Sequence, residues 1–122
     1  MNKQTIRSVP FYFFDSLAKI PNLVHFVSTR EGGTSTGSFA TLNLSLRTND
    51  DPENVNNNRK IVAQSFDIDP ERFIFSSQCH DNKVAVIDNN FMAMDEQNQY
   101  LYLNGIDALV TNLRMYVGHS YR

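Results

Sequence analysis

Residues 23–46, LVHFVSTREGGTSTGSFATLNLSL, carry the pattern that decides the fold. Residues 23–29 are rich in the β-branched and aromatic side chains that suit a half-buried strand. Residues 30–39 contain three glycines and four hydroxyl residues, which predicts a loop whose backbone reaches positive φ. Residues 41–46 alternate polar with apolar side chains, so they predict a strand with one dry face; an irregular loop packed through its leucines is the alternative.

The segments on either side of this stretch predict short strands and few helices. Further strands are predicted at 11–14, 73–78, 84–87 and 107–111. The strand at 11–14 is a candidate neighbour of 23–29, whereas 73–78 and 84–87 are expected to form a hairpin-like pair around a turn at Asp81 and Asn82. Residues 89–99 predict a loop or a weak helix. The changing periodicity predicts a mixed fold with short strands and few helices.

The clearest helix is predicted from about residue 50 to residue 66. Aspartates at its start can cap free amides, Pro52 suits the first turn, and Glu53 favours the positive end of the helix dipole. Val55 and Val62 mark an apolar stripe that faces the core. The asparagines at 56–58 are poor helix formers that would need tertiary packing to hold them, and the simplest expectation for this run is exposure to solvent.

Length and charge limit the function classes. A chain of 122 residues is about the size of one domain, so a single domain over 1–122 is expected. The net charge of −2, with both signs interspersed, predicts no nucleic-acid or anionic-membrane partner and favours small or neutral ligands. The single cysteine excludes an intramolecular disulfide, and no long apolar run follows Met1, so the expected location is the cytoplasm.

Cys79 and His80 suggest a Cys/His nucleophilic pair, but strand geometry argues against it. Adjacent residues of one strand point to opposite faces, so the imidazole would not reach the thiol. Cys79 is therefore predicted to be a small buried hydrophobic residue. His80, before a turn, is either a structural histidine or a side chain that enters a cleft as a metal ligand or a general base.

Other polar candidates give weaker signals. In residues 30–35, the glycine amides and Arg30 are suited to contact an anion, although the loop lacks the spacing of a P-loop and an ordinary connection is the alternative. His25 and His119 are conceivable additional ligands. His25 is expected to be a solvated or hydrogen-bonded surface residue, and His119 belongs to a terminal stretch that is expected to fray.

Taken in order, these segments resemble the YfiH-type laccase-domain family. Its members were described first as multicopper polyphenol oxidoreductases and later as purine nucleoside phosphorylases. The resemblance covers nearly the whole chain, in five segments: 25–35, 42–44, 50–55 with 58–59, 78–80 and 107–111. It implies an α/β fold like the catalytic domain of cytotoxic necrotizing factor, with zinc or copper bound by a His, a Cys and a second His.

Within that resemblance, His80 matches the first metal ligand and is the candidate catalytic residue. The family's Cys lies in an Ala-Asp-Cys segment and its last His opens a His-Ala-Gly-Trp-like segment, and neither segment is in this sequence. Cys79 occupies the variable position before His80 and does not replace the Cys ligand. The resemblance therefore implies a C-terminally incomplete domain that holds no stoichiometric metal and is inactive by itself.

The chemistry implied by the resemblance is phosphorolysis of adenosine, inosine, guanosine or methylthioadenosine, together with adenosine deamination. A bound metal would activate water for deamination, whereas phosphorolysis needs a site for phosphate. Arg30, Gly32 and Gly33 are the candidate substrate contacts, and Asn43 is a polar neighbour.

Several readings stay open beside the incomplete enzyme. One is an active enzyme that completes its metal site with His119, His25 or residues of another copy. Another is a non-catalytic nucleoside-binding or interaction module, and a third is a laccase-like polyphenol oxidase. An incomplete sheet also predicts self-association through an exposed strand edge.

Overall fold

The computed structural model describes residues 1–113 and the backbone of residues 117–119. The chain divides into two compact units, Met1–Pro70 and Glu71–Arg122. The single domain expected over 1–122 stays a prediction. None of the helices in the described residues is long and apolar enough to cross a membrane.

The first unit contains an antiparallel sheet of three strands in the order β1-β2-β3. Its strands are β1 Asn2–Ile6, β2 Val9–Phe13 and β3 Val27–Ser28. Tyr12 pairs with Val27, which confirms that 11–14 and 23–29 are neighbours, although only two residues of the second segment are strand. β1 has no counterpart among the predicted strands because its side chains are almost all exposed and polar, which removes the alternating pattern.

Aromatic rings form the core beneath this sheet. Phe11 is fully buried and meets Phe26 and Phe66 edge to face, with ring centroids 5.4 Å and 4.9 Å away. Phe26 and Phe66 stack at 4.3 Å. These contacts hold β2 against the end of the long helix, because each aromatic pair adds its geometry-dependent attraction to the apolar area it buries.

The helices of the first unit are α1 Asp15–Ala18 and α2 Pro52–Ser65, with a single 3-10 turn at Gly37–Phe39. α2 confirms the predicted helix: the Asp51 side chain accepts a hydrogen bond from the Glu53 amide at 3.0 Å, and Pro52 occupies the first turn. The expected exposure of the asparagine run is wrong for Asn58, which is fully buried. Position 58 lies three residues after Val55 and four before Val62, so it falls on the apolar face.

Residues 41–46 form no strand. Leu42 and Leu44 are buried, as the alternative of an irregular loop packed through its leucines predicts. The side chain of Asn43 accepts a hydrogen bond from the Ser45 amide at 3.1 Å. Such local bonding offers the backbone a partner other than a neighbouring strand, which explains why an alternating pattern here gives a turn.

The second unit is built from short strands and helices around a small apolar core. A 3-10 turn at Pro70–Arg72 precedes them, and the elements are β4 Phe73–Phe75, β5 Val84–Ile87, α3 Asn89–Met92, α4 Glu96–Tyr102, β6 Ala108–Thr111 and β7 Val117–His119. Ile74, Ile87, Phe91 and Leu103 form the core. The weak helix expected within 89–99 is confirmed as α3 and the start of α4, which the side chains of Asp88 and Asp95 cap.

The strand pairing of the second unit differs from the predicted hairpin. β5 pairs in parallel with β6, and β4 pairs in parallel with β7. The hairpin prediction for 73–78 and 84–87 is therefore wrong. Parallel partners need a crossover between them, and α3 and α4 supply it between β5 and β6.

Candidate functional site

The carboxylate of Asp107 accepts hydrogen bonds from three successive backbone amides of the turn that contains His80. Its Oδ1 accepts hydrogen bonds from the amides of Cys79, at 2.9 Å, and His80, at 2.8 Å. Its Oδ2 accepts one from the amide of Asp81 at 2.7 Å. Successive amides that converge on one acceptor form an anion-binding concavity, and here the anion is the protein's own side chain.

Further contacts tie this turn to the segment that precedes β6. The Ser77 amide donates to the carbonyl of Leu103 at 3.0 Å, and Ser77 forms a parallel bridge with Asn104. The Gln78 side chain donates to the carbonyl of Asp107 at 3.2 Å. Residues 77–81 and 103–107 are therefore joined at both ends of the turn.

His80 has a left-handed backbone, with φ of +61°, and an exposed side chain. This conformation costs a residue with a Cβ about 1–2 kcal/mol, although His adopts it more readily than most. None of the described residues is seen to hydrogen-bond with the imidazole. The structure thus holds the backbone of His80 firmly and leaves its ring in solvent.

Hydrogen bonding keeps Asp107 ionised. Partial burial raises its pKa and is the largest single influence, but the amides of Asp81, His80 and Cys79, with the Cys79 thiol, together outweigh it and leave the pKa lowered. A charged carboxylate is a stronger acceptor than a neutral one. At neutral pH, Asp107 is therefore a permanent acceptor for the turn.

The prediction that Cys79 is buried is wrong. Cys79 is exposed, and its Sγ lies 3.4 Å from the carbonyl oxygen of Gly105 and 3.6 Å from Asp107 Oδ2. β4 ends at Phe75, so Cys79 and His80 lie in a turn and the alternation of a strand does not apply to them. The Cys79 thiol is part of the contact between the turn and Asp107.

The described residues do not fit a His/Cys/His metal site. Among them, no group of three or more His, Cys, Asp or Glu side chains is arranged to hold an ion. His25 uses its Nε2 to accept a hydrogen bond from the Phe14 amide at 3.0 Å, as expected for a hydrogen-bonded histidine. The backbone of His119 belongs to β7, but its side chain lies outside the described residues. In the described chain, His80 is a single candidate ligand, fewer than a zinc site requires.

In the first unit, the loop that contains Arg30 closes on residues 40–42. The Arg30 Nε donates to the carbonyl of Ala40 at 3.0 Å, and the Gly33 amide donates to Thr41 Oγ1 at 3.1 Å. The Gly33 amide is thus occupied within the protein, as in an ordinary connection. Substrate contact by Arg30, Gly32 and Gly33 stays a prediction.

Close packing explains why glycine occupies both position 32 and position 33 of this loop. A Cβ on Gly33 would lie 2.6 Å from Asn58 Oδ1 and 2.7 Å from the Leu42 Cα, closer than atoms can approach. Gly32 has φ of +102°, and a Cβ there would lie 2.9 Å from a methyl group of Val9. The loop backbone therefore packs directly against its neighbours, which only glycine permits.

The buried Asn58 organises the polar groups around Asn43. Its Oδ1 accepts from the amide and hydroxyl of Thr34, at 2.7 Å and 3.0 Å, and its Nδ2 donates to Ser35 Oγ and the Asn43 carbonyl, at 2.9 Å and 2.8 Å. All four hydrogen-bonding positions of the amide are used. Asn58 is a site-organising residue that sequence reasoning missed; its place on the apolar stripe of α2 was the available signal.

Asp50 completes this network. Its Oδ2 accepts from Ser35 Oγ at 2.6 Å and from Asn43 Nδ2 at 3.2 Å. The Ser35 hydrogen bond is the largest influence on the Asp50 pKa; with the bonds from Asn43 and the Asp51 amide it outweighs burial and lowers the pKa. Asn43, the predicted polar neighbour of substrate, uses its side chain within the protein, so its substrate role stays a prediction.

A family model and individual proteins of known name match this chain by sequence. The family model described as multi-copper polyphenol oxidoreductase laccase matches residues 24–119. A purine nucleoside phosphorylase of Bacteroides thetaiotaomicron is 31% identical over 98 residues, which cover 80% of this chain and 36% of the relative. The adenosine deaminase RL5, from an unknown prokaryotic organism, is 31% identical over 82% of this chain and 38% of its own length.

The fold agrees with a solved relative. The crystal structure of YlmD from Geobacillus stearothermophilus matches with a TM-score of 0.66 and 27% identity, over 78% of this chain and 35% of that one. This confirms the predicted mixed α/β fold. The chain spans a little over a third of the length of these relatives. It belongs to the multi-copper polyphenol oxidoreductase laccase family, the YfiH-type laccase-domain proteins.

Proposed function

We propose that this chain takes part in the processing of purine nucleosides with phosphate as co-substrate, and that His80 is its catalytic contribution. The support is the exposed imidazole on a turn whose three amides are bound by Asp107. The relatives are a purine nucleoside phosphorylase and an adenosine deaminase, and they suggest the substrate class. The proposed location is the cytoplasm.

In phosphorolysis, the bond between the ribose C1′ and the purine nitrogen breaks while a phosphate oxygen bonds to C1′. The products are ribose 1-phosphate and a free purine, which leaves with a proton on its nitrogen. An imidazole that reaches the base can supply that proton as a general acid, a role typical of histidine. This is the role we propose for His80 in the second unit. Taken separately, Arg30, Gly32 and Gly33 of the first unit are proposed contacts for substrate, with Asn43 as their polar neighbour in that unit.

We further propose that the centre is catalytically incomplete with the described residues alone. They supply one candidate ligand for the zinc or copper of the family site, fewer than a metal centre requires. The chain is expected to bind nucleoside without turning it over. Adenosine deamination is a second candidate because one relative bears that name, whereas polyphenol oxidation has only the family description as support.

Amide spectra test the nucleoside site directly. Inosine, added to the ¹⁵N-labelled chain with phosphate present, is expected to shift the amide signals of residues 79–81. His80→Ala is expected to raise at least tenfold the inosine concentration that these amide shifts require. The matched control is Asn82→Ala, an exposed change in the same turn. Unchanged signals in the wild-type chain at millimolar inosine would show that this turn is not a nucleoside site.

Activity and metal content test the incomplete centre. Chromatography of the same mixture is expected to detect no hypoxanthine above the level formed with His80→Ala. Hypoxanthine formation that depends on His80, or about one tightly held zinc or copper per chain by elemental analysis, would establish a complete enzyme instead.

Self-association is also proposed, through the outer face of β5 and β6. Val84, Val86 and Val110 are 60%, 52% and 52% exposed on these parallel strands. Parallel strands are ordinarily covered on both faces, so this face is suited to a second copy. Sedimentation is expected to show concentration-dependent dimers that Val86→Lys abolishes; a monomer at high concentration would contradict the proposal.

A further inference from the structure

The role of Asp107 follows from the way the His80 turn is built. Three consecutive amides, at 79, 80 and 81, point to one side of the turn, and the side chain of Asp107 satisfies all three. A left-handed His80 lies at the centre of the three. Without an acceptor on that side, these amides would favour other backbone conformations in which each finds its own partner.

We infer that Asp107 is the positioning residue for His80: its carboxylate holds the left-handed backbone and thereby sets the direction in which the imidazole meets a purine nucleoside. The inference rests on the proposed function for the nucleoside and on geometry for the turn. Asp107 lies one residue before β6, and Gln78 and Cys79 contact it as well, so its own position is fixed. Functional side chains are commonly held in place by supporting hydrogen bonds, and here those bonds go to the backbone that carries His80.

The main test uses two variants that remove the same charge. Asp107→Asn keeps the shape of the side chain but replaces one acceptor oxygen with a donor, so at least one of the three amides loses its partner. Asp81→Asn is the matched control, because Asp81 lies in the same turn and its side chain forms none of the hydrogen bonds found among the described residues. Circular dichroism establishes a temperature at which both variants are folded.

The first readout needs no ligand. In Asp107→Asn, the amide protons of residues 79–81 are expected to move upfield, and His80 is expected to lose the strong intraresidue amide-to-Hα cross-peak of a positive φ. Asp81→Asn is expected to keep both signatures. If Asp107→Asn also keeps the wild-type amide shifts and the His80 cross-peak, Asp107 does not position His80, and this conclusion holds for any result of the inosine titration.

The second readout is the shift of the His80 ring signals during an inosine titration. The apparent Kd is expected to rise tenfold or more in Asp107→Asn and to stay within twofold in Asp81→Asn. An altered turn with unchanged inosine affinity would overturn the inference, since Asp107 would then serve the fold alone. If the His80 ring signals of the wild-type chain do not shift with inosine, the proposed function is wrong. The first readout still decides in that case whether Asp107 controls the conformation of the turn.

If Asp107→Asn does not fold, a second variant, Asp107→Glu, tests the same inference. Asp107→Glu keeps the charge, but its added methylene displaces the carboxylate from the three amides. Its His80 cross-peak and inosine response are expected to decline together. Wild-type values for both in Asp107→Glu would overturn the inference.

Discussion

The side chain of Asn58 on α2 binds the backbone of Thr34: Asn58 Oδ1 accepts the Thr34 amide at 2.7 Å inside the first unit. The same side chain donates to Ser35 and to the carbonyl of Asn43. One buried amide thus connects the helix to two separate parts of the loop that carries the candidate substrate contacts. Because every one of its hydrogen bonds is internal, losing the side chain leaves several buried groups without partners.

Asn58→Ala is expected to lower the free energy of unfolding by about 3 kcal/mol, since a buried polar group left unpaired costs about 1–3 kcal/mol. Urea denaturation measures the change. Asn56→Ala is the control, because Asn56 is exposed on the same helix and its replacement is expected to change stability by less than about 0.5 kcal/mol. Equal changes in the two variants would show that the internal hydrogen bonds of Asn58 add no more stability than the side chain of an exposed asparagine on the same helix.

Gly33→Ala is expected to destabilise the first unit by about 3 kcal/mol, since its Cβ would overlap Asn58 and Leu42 and overpacking costs about 1–3 kcal/mol before the lost hydrogen bonds. Gly37→Ala separates this effect from backbone strain. Gly37 has φ of +62° but open space around it, so about 1 kcal/mol is expected there. Thermal melts of both variants compare the two costs, and a Gly33→Ala loss no larger than that of Gly37→Ala would contradict the close packing of the loop.

His80→Gly is expected to be more stable than His80→Ala by about 1 kcal/mol, because glycine adopts φ of +61° without the steric cost that a Cβ brings. Neither variant is expected to shift its amides with inosine. Chemical denaturation of the pair measures the difference. Equal stabilities would mean that the strain at position 80 is relieved in solution.

Asp50 links stability to pH. Its folded pKa is lowered, so the folded state binds fewer protons than the unfolded state, and the stabilisation is present above the unfolded pKa and is lost as pH falls through the folded value. The free energy of unfolding is therefore expected to decline below about pH 5. Asp50→Asn should reduce this slope and lower stability at neutral pH. The Asp107 pKa is lowered too, so some acid dependence remains in Asp50→Asn. Urea titrations at several pH values test this, and an unchanged slope in Asp50→Asn would contradict the role of Ser35 and Asn43.

The helix at Pro52–Ser65 was the most predictable element, because its cap, its proline and its apolar spacing are all local signals. Residues 107–111 were predictable as a strand for a similar reason. Their partner was not, since β5 and β6 pair in parallel over a crossover and nothing local specifies which strand is adjacent. The strand predicted at 41–46 failed for a different reason, because the Asn43 side chain bonds locally to the Ser45 amide and gives the backbone a partner other than a neighbouring strand.

The sequence by itself determined the family, the long helix and most of the strand-forming segments, and it made His80 the candidate site residue, because each depends on residue types in a fixed order. The tertiary structure decided how His80 is held: Asp107, 27 residues away, comes to the turn only when the segment before β6 lies beside it. It also decided that Asn58 is buried and Cys79 exposed. Burial and hydrogen-bond partners depend on which distant segments come into contact. The free energy that favours those contacts is a sum over many residues, so no single segment of the sequence specifies it.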